Sequence, residues 1–378
     1  MTKMYSSRYY WIALGLINEL NPNQISKLLK TYSHPKEIFI HSRKMGNKKT
    51  SNDFPLSLKL FSRFANFDFK KVDMELKMAE RHQVQIIAYE DSEYPKQLKL
   101  LADPPPFFEI KGKNWHNLFH QGNHILGVVG SRKICNYGIM VTQSLVTPLS
   151  RAGCIIVSGG AIGIDQMAHQ VCLNENGPSI AVLGSGLGKL YPVCHYDLFE
   201  KLCEKGAIMS EFPFMRSAFP FHFPQRNRII AGLSKGVLVT QARKGSGSLI
   251  TAKLALEQGK EVMAVPGPIH WEEYFGSNEF IKQGAHVITG VNDILEIMNW
   301  VLESQNPVEL NGISCKILKA LDKGPLSRQH LLDLLEIPSF QLSKEISDLE
   351  ERELIISLRG ERWSTSLKGC EALCQKKH

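Results

Sequence analysis

The run Ile125-Leu126-Gly127-Val128-Val129 turns at Gly130-Ser131-Arg132. After a helix-length amphipathic segment, a second run, Ile155-Ile156-Val157, breaks into Ser158-Gly159-Gly160-Ala161-Ile162-Gly163-Ile164-Asp165. Two short β-branched runs, separated by one helix and each ending in glycine, predict a β-α-β unit whose parallel sheet is covered on both faces. Ligands of such sheets sit beyond the carboxyl ends of the strands, which here are the glycine turns. Outward from this stretch the alternation continues. Ser179 to Leu183, Ala207 to Met209, Gly236 to Thr240, Val262 to Val265 and His286 to Ile288 read as strands, with helical segments between most of them. Seven strands with intervening helices place the chain in the α/β class, as a Rossmann-like, doubly wound, mostly parallel sheet.

The flanks read differently. Tyr10, Ile12, Ala13, Leu14, Ile17 and Leu20 recur at helical spacing, as do Ile25, Leu28 and Leu29, so residues 1–80 are expected to form a small helical N-terminal domain. Asn21-Pro22-Asn23 separates the first two helices. A hairpin that grips a nucleic-acid backbone normally uses glycine to bring its amides close, and this turn has none, so a structural module is expected. Residues 41–53 are polar and basic and read as an exposed loop. A helix from about Phe69 to His82 precedes a strand-like Gln85 to Tyr89. Pro104-Pro105-Pro106 then marks a rigid extended connection into a core spanning 81–300. Beyond Trp300, Ser304 to Pro307 is linker-like. Three short amphipathic helices and a small β-ribbon follow, predicting a C-terminal winged-helix domain over 308–370. Its third helix, residues 339–352, carries Lys344 and Arg352 against Glu345, Asp348, Glu350 and Glu351, a poor surface for phosphate.

The chain has 378 residues, enough for two or three domains. No apolar run reaches the roughly 20 residues of a membrane span, and no signal-peptide core opens it, so a cytoplasmic protein with no membrane association is expected. Eight scattered cysteines without a C-x-x-C pair signal neither zinc nor a disulfide framework. The net charge of +8 is uneven: residues 1–124 hold 19 Lys/Arg against 12 Asp/Glu, whereas the last segment, 301–378, holds 11 against 12. That balance permits a polyanionic partner without requiring one.

Four loops after strands share a composition: Gly130-Ser131-Arg132-Lys133, Ser158-Gly159-Gly160, Gly184-Ser185-Gly186-Leu187-Gly188-Lys189, and Arg243-Lys244-Gly245-Ser246-Gly247-Ser248. Glycine lets amides close on an anion, serine adds hydroxyl donors, and a following helix N-terminus contributes its positive end, so together they predict a phosphate-binding rim. None fits G-x-G-x-x-G with an acidic residue ending the next strand, and the Gly184 loop is one residue short of a Walker A loop and lacks its hydroxyl. No cofactor and no metal site is expected. Asp165 and His169, four apart, could orient a base. With no nucleophile elbow and no second acid, a capping Asp165 and a buried, hydrogen-bonding His169 are the readings preferred. For Arg226-Asn227-Arg228 two roles stay open, phosphate recognition and an internal ion pair.

Gly130-Ser131-Arg132-Lys133 with Tyr137-Gly138, Ser158-Gly159-Gly160-Ala161 through Gly163, Asp165 and His169, Tyr191-Pro192, Ser210-Glu211-Phe212-Pro213, Phe223 through Ser234 and Gly245 through Gly259 closely resemble the DNA-processing protein A (DprA/Smf) family, from about Tyr94 to Glu296. The resemblance implies a single-stranded-DNA-binding protein and not an enzyme. Such a protein protects incoming DNA and loads the recombinase RecA in natural transformation and recombination. The family's pocket carries over to Arg132 in the first loop and to the glycine-rich loop with Ser158, Gly159, Gly160 and Gly163, and Gly130, Ser131 and Lys133 beside Arg132 are candidates with it. Arg226, Asn227, Arg228, Lys244, Ser246, Gly247 and Ser248 extend it on physical grounds. The chain departs from the pattern at Gln241, where the family usually has an acid. The resemblance also implies a homodimer through the segment around Asn278, Phe280, Ile281 and Val287. Adjacent helical residues lie about 100° apart, so one of Phe280 and Ile281 is expected to be exposed. The alternative is a nucleotide-processing enzyme similar to the lysine-decarboxylase-like phosphoribohydrolases. Those enzymes need a glutamate after their glycine-threonine turn, which Ser248-Leu249-Ile250-Thr251-Ala252 lacks.

Overall fold

A computed structural model of the chain describes residues 5–17, 20–45, 55–120, 122–301, 310–352, 354–358, 360–366 and 369. They divide into two compact units, 1–302 and 303–378, each taken by itself. Five helices open the first unit: α1 (Ser7–Gly15), α2 (Pro22–Thr31), α3 (Pro35–Met45), α4 (Leu58–Ala65) and α5 (Lys70–Arg81). α2 begins at the asparagine-proline turn because Asn21 Oδ1 accepts from Gln24 N and Gln24 Oε1 accepts from Asn21 N, while Pro22 needs no donor at the first helical position. Of the basic stretch 41–53, residues 41–45 end α3, and 46–53 lie outside the described residues.

The sheet follows: β1 (Gln85–Ala88), α6 (Lys96–Lys99), β2 (Phe107–Lys111), β3 (Ile125–Gly130), α7 (Asn136–Arg151), β4 (Ile155–Ser158), α8 (Ile164–Asn174), β5 (Ser179–Val182), α9 (Tyr196–Lys205), β6 (Ala207–Ser210). α10 (His222–Leu233), β7 (Gly236–Gln241), α11 (Gly247–Glu257), β8 (Glu261–Ala264), α12 (Phe275–Lys282), β9 (His286–Val287) and α13 (Val291–Met298) complete it. Among the described residues the strand order is β1-β2-β6-β5-β4-β3-β7-β8-β9. β6 through β9 in that order run parallel, and β2 and β1 extend the β6 edge antiparallel. All seven strands expected from Ile125 onward are present. β2 is an addition that the sequence reading missed, because it follows three prolines at once and carries a charged residue, Glu109, in its middle.

Strand periodicity explains why whole runs are apolar. In β3, Ile125 and Val129 enter one buried layer and Leu126 and Val128 the other. The first layer is closed by Ile229, Ile230 and Leu233 of α10 and by Leu249 and Ala252 of α11. The second is closed by Leu145 and Leu149 of α7 and by Ala168 and Val171 of α8. Toward β6, β2 and β1 the second face is covered instead by α9 and the N-terminal helices, with Phe39, Phe64, Ile208 and Phe214 in one cluster. Each fully buried side chain of this size contributes about 1.5–3 kcal/mol. The N-terminal helices therefore share their core with the sheet.

The second unit comprises α14 (Gly312–Leu321), β10 (Leu326–Ser327), α15 (Arg328–Leu335), α16 (Ser339–Glu351), β11 (Ile355–Leu358) and β12 (Arg362–Thr365), with its own core around Ile317, Leu331, Leu349 and Trp363. The expected three helices and ribbon are there, and β10 adds a third antiparallel strand. The linker Ser304 to Pro307 falls outside the described residues.

The expectation for Phe280 and Ile281 needs correction. Phe280 is only 4% exposed and Ile281 is half-buried against the same layer, so neither stands free. Both fit because α12 packs against β7 and β8, with Phe280 in the buried layer and Ile281 against it. Asn278 is also occupied within the chain, since its side chain exchanges hydrogen bonds with Gly267 N and O. Of the four residues assigned to a contact between copies, Val287 is exposed.

Candidate functional site

In this sheet β3 has β4 on one side and β7 on the other, so the winding direction reverses at β3/β7. A crevice opens there at the carboxyl ends. A cavity of about 670 Å³ occupies it, bordered by the loop after β3, the loop after β7 and the start of α10.

The loop after β3 brings Gly130, Ser131, Arg132 and Lys133 to the cavity. Ser131 Oγ donates to Lys133 O and accepts from Lys133 N, a tight turn that leaves Arg132 and Lys133 exposed. Gln241, fully buried at the end of β7, clamps the same loop. Its Oε1 accepts from Cys135 N at 3.1 Å, and its Nε2 donates to Lys133 O at 2.9 Å. An ionised acid at 241 could accept but not donate. Here the amide makes both bonds.

The loop after β7 supplies Lys244, exposed, and Ser246, Gly247 and Ser248 at the first turn of α11. Ser246 caps that helix through Ser248 N, so the positive end of α11 faces the cavity. Arg243 also lines the wall but is paired with Glu273. Asn227, whose Nδ2 donates to Gly247 O, ties α10 to the loop.

The loop after β4 acts from beneath. Ser158 is buried and donates to Val128 O, and Gly159, Gly160 and Gly163 do not reach the cavity wall, which takes Ala161 and Asp165 instead. Two of these glycines are required by close approach. A Cβ on Gly163, where φ is +96°, would lie 2.3 Å from Ser131 O, and one on Gly159 would lie 2.3 Å from Arg226 Nη1. Arg226 is 3% exposed at the floor and donates to Gly159 O at 2.6 Å and to Val182 O. Burial pushes its pKa down to about 10, opposed by Asp165, so it stays charged at neutral pH while holding the turn together.

Arg228 does not belong to this site, which corrects its assignment. It is two residues further round α10, pairs with Glu211 and Asp103, and faces a separate cleft beside Leu101 and Gln258. The internal ion pair is its role. The loop Gly184 to Lys189 is likewise not part of the rim. Gly186 N donates to Arg216 O, Gly188 N to Phe214 O and Leu187 N to Glu109 Oε2, so these amides are occupied within the protein.

Sequence reasoning underrated the aromatic wall. Phe223 and Tyr191 line the cavity with ring centroids 5.8 Å apart, and the Arg132 guanidinium lies 5.2 Å from the Phe223 ring centroid. Beside Pro220, Phe219 and Phe221 are exposed and stacked on one another. The available signal was three phenylalanines in Phe219 to Phe223 with few apolar neighbours to bury them.

Asp165 accepts from Gly159 N inside the first turn of α8 and does not cap the helix. Burial raises its pKa, with Arg226 opposing. His169 is fully buried, 2.8 Å from Ser179 Oγ. Ser179 donates its proton to Ile156 O, so His169 Nδ1 is the donor. Burial lowers the His169 pKa to about 3, which keeps the ring neutral. His169 is not among the residues lining the cavity, whereas Asp165 lines it while bonded to Gly159 N. Among the described residues no cluster of His, Cys, Asp or Glu could hold a metal ion, and no helix is long and apolar enough to cross a membrane.

Residues 85–299 match the family of DNA recombination-mediator protein A. Protein Smf of Escherichia coli is 42% identical over 248 residues, which are 65% of this chain and 65% of that protein. DNA processing protein DprA of Bacillus subtilis is 40% identical over 56% of this chain and 71% of its own length. The X-ray structure of DNA processing protein A from Streptococcus pneumoniae superposes with a TM-score of 0.55 at 30% identity, covering 73% of this chain and 98% of that one. A structure of DNA processing protein A from Helicobacter pylori, described for its single-stranded DNA binding mode, gives 0.51 at 27% identity over 57% and 96%.

Proposed function

The chain belongs to the DNA recombination-mediator protein A family, and from that premise we propose that it binds single-stranded DNA at the β3/β7 crevice as a recombination mediator. The observation that carries this reading is the pairing of exposed Arg132, Lys133 and Lys244 with the Phe223 and Tyr191 rings around one cavity. Cations follow a phosphate backbone, and rings stack on unpaired bases of any sequence. A duplex keeps its bases stacked inside and cannot use the rings. The rim therefore favours single strands.

A phosphoribohydrolase reading is the weaker one. Among the described residues lining the cavity the sole carboxylate is Asp165, which is bonded to Gly159 N and faces Arg226. Those bonds hold it in the floor of the site. Fluorescence anisotropy with single-stranded and duplex oligonucleotides of one sequence tests the proposal. Tight, salt-sensitive binding of the single strand alone is expected, and equal binding of both forms overturns it. Release of base from a nucleoside monophosphate would support the enzyme instead.

Protection of incoming strands and delivery to RecA belong to the same proposal, as does a homodimer. The segment from 269 to 287 exposes Ile269, Trp271, Phe275 and Val287, and β9 is the open edge of the sheet. A two-fold contact repeats every substitution on both subunits, so Val287→Arg would bury two charges in it and is expected to give monomers. Sedimentation of wild type and variant at micromolar concentration decides it.

A further inference from the structure

Between β6 and α10 the chain carries two aromatic residues that no core takes. Phe219 and Phe221 are 43% and 65% exposed, and their rings lie nearly parallel, 16° apart in plane with centroids 5.8 Å apart. A buried phenylalanine side chain contributes about 1.5–3 kcal/mol to stability, which two rings left side by side in solvent largely forgo. They are nonetheless held in place. His222, 3% exposed, donates from Nδ1 to Gly184 O at 3.0 Å and stacks on buried Phe212 with centroids 4.0 Å apart. Both exposed rings pack nearly perpendicular to that imidazole, Phe221 with centroids 4.6 Å apart and Phe219 with centroids 5.3 Å apart. A surface fixed before binding loses little freedom when a ligand arrives.

Position decides what this surface meets. Pro220, between the two rings, lines the β3/β7 cavity, and the Cα atoms of Phe219 and Phe221 lie about 3.8 Å on either side of it. Phe223, two residues further on, lines the same cavity beside the Arg132 guanidinium. A strand passing out of the cavity over Pro220 therefore meets the pair at once. Residues 212–225 contain no Asp or Glu, so nothing in the segment itself repels a polyanion. Uncharged rings give no ionic contact to phosphate. Their faces suit another flat ring, and every unpaired base has such a face.

We propose that Phe219 and Phe221 form a base-stacking platform at the mouth of the crevice, which takes an unpaired base beyond those at Phe223 and Tyr191. The inference rests on the DNA-binding reading above and adds to it a contact made with the base and not with the phosphate. The cations of the rim set the salt dependence of binding. The platform adds affinity that salt does not screen.

The test measures anisotropy with oligo(dT) of about 20 nucleotides, longer than one single-strand site, and with an abasic strand of the same length. Phe219→Ala/Phe221→Ala is expected to bind oligo(dT) about tenfold more weakly, the loss of one stacked base, with the log–log salt slope unchanged. Arg132→Ala, in contrast, is expected to lower the slope by about 0.7, the value for one phosphate contact on a single strand. Wild type and double variant are expected to bind the abasic strand alike. Phe219→Tyr/Phe221→Tyr should keep the affinity for oligo(dT). Phe219→Leu/Phe221→Leu, apolar but without a ring face, should lose it as alanine does. Circular dichroism verifies the fold of each variant. Unchanged oligo(dT) affinity in the alanine variant overturns the platform alone, and slower sedimentation of that variant at micromolar concentration then assigns the rings to a contact between copies. A loss of equal size on the abasic strand also overturns it, because the rings then act through the shape of the loop. Wild type that fails to bind oligo(dT) overturns the crevice reading first and the platform with it.

Discussion

The loop after β7 and the loop after β5 have nearly the same composition, Arg243 to Ser248 against Gly184 to Lys189, yet they do opposite things. In the first, a Cβ on Gly245 or Gly247 would meet nothing within 4 Å, and the helix that follows points its positive end into an open cavity. In the second, the amides of Gly186, Leu187 and Gly188 all have acceptors inside the protein, and a Cβ on Gly186 would lie 1.9 Å from Pro213 O. The cause is topological. β7 adjoins β3 where the winding reverses, so its loop borders a crevice. The loop after β5 is roofed by the segment returning from β6 and meets buried Glu109 of β2. Glycine, serine and lysine describe a loop able to hold an anion, and neighbouring strands decide whether an anion can reach it.

That contrast is sharpest in Gly186→Ala, which forces backbone apart and is expected to cost roughly 3 kcal/mol of stability. Urea unfolding measures it, and a loss below about 1 kcal/mol would dissolve the distinction between the loops. Next in size, Arg132→Ala removes a charged contact from the open rim. It is expected to weaken single-strand binding by about 2 kcal/mol, roughly thirtyfold, with the unfolding midpoint unmoved. Undiminished anisotropy at low and moderate salt would move the site elsewhere.

The closed loop also predicts a pH dependence. Glu109 Oε2 accepts from Leu187 N and Glu75 Oε1 from Phe214 N, so two carboxyls buried between sheet and α5 hold this region. Burial raises both pKa values, that of Glu109 well above the carboxylate range, and the charge of Glu75 raises Glu109 further. A raised carboxyl binds its proton more tightly in the native state than in the unfolded one. The stability it contributes is present below the unfolded value of about 4.3 and is lost as pH climbs toward the raised value. The decline per proton is limited to about 1.4 kcal/mol per pH unit. Glu109→Gln, which mimics the protonated form, should flatten it. Thermal melts from pH 5 to 8 read the slope, and an unchanged slope in the variant clears the pair. Smallest of all, Gly247→Ala is expected to alter stability by less than about 0.5 kcal/mol, since the added methyl points into open space. A larger loss would mean that the β7 loop is as closed as its counterpart.

From Ile125 onward the strands were legible because their signals are local: a run of β-branched residues, a glycine where the backbone must turn, a helix-length gap. β2 was not, since a five-residue strand with a glutamate at its centre looks like a strand only once a partner carboxyl from α5 lies opposite. Of the rim, Arg132, Lys133, Lys244 and Ser246 were readable as loop chemistry. The aromatic wall at Tyr191 and Phe223 was underrated because its two members are far apart in sequence.

By itself, then, the sequence determined the alternation of elements, the α/β class and the glycine turns at the strand ends, all consequences of backbone conformation and side-chain period over a few residues. Only the tertiary structure decided that Arg226 faces the crevice while Arg228, two residues away, is paired with Glu211. Only it decided that Phe280 is buried and that one glycine loop is open while its near copy is closed. Two residues turn a helix by about 200°, so neighbours of identical chemistry meet opposite surroundings. Which surroundings they meet is set by strand order and by chain returning from elsewhere, and no local pattern contains that information.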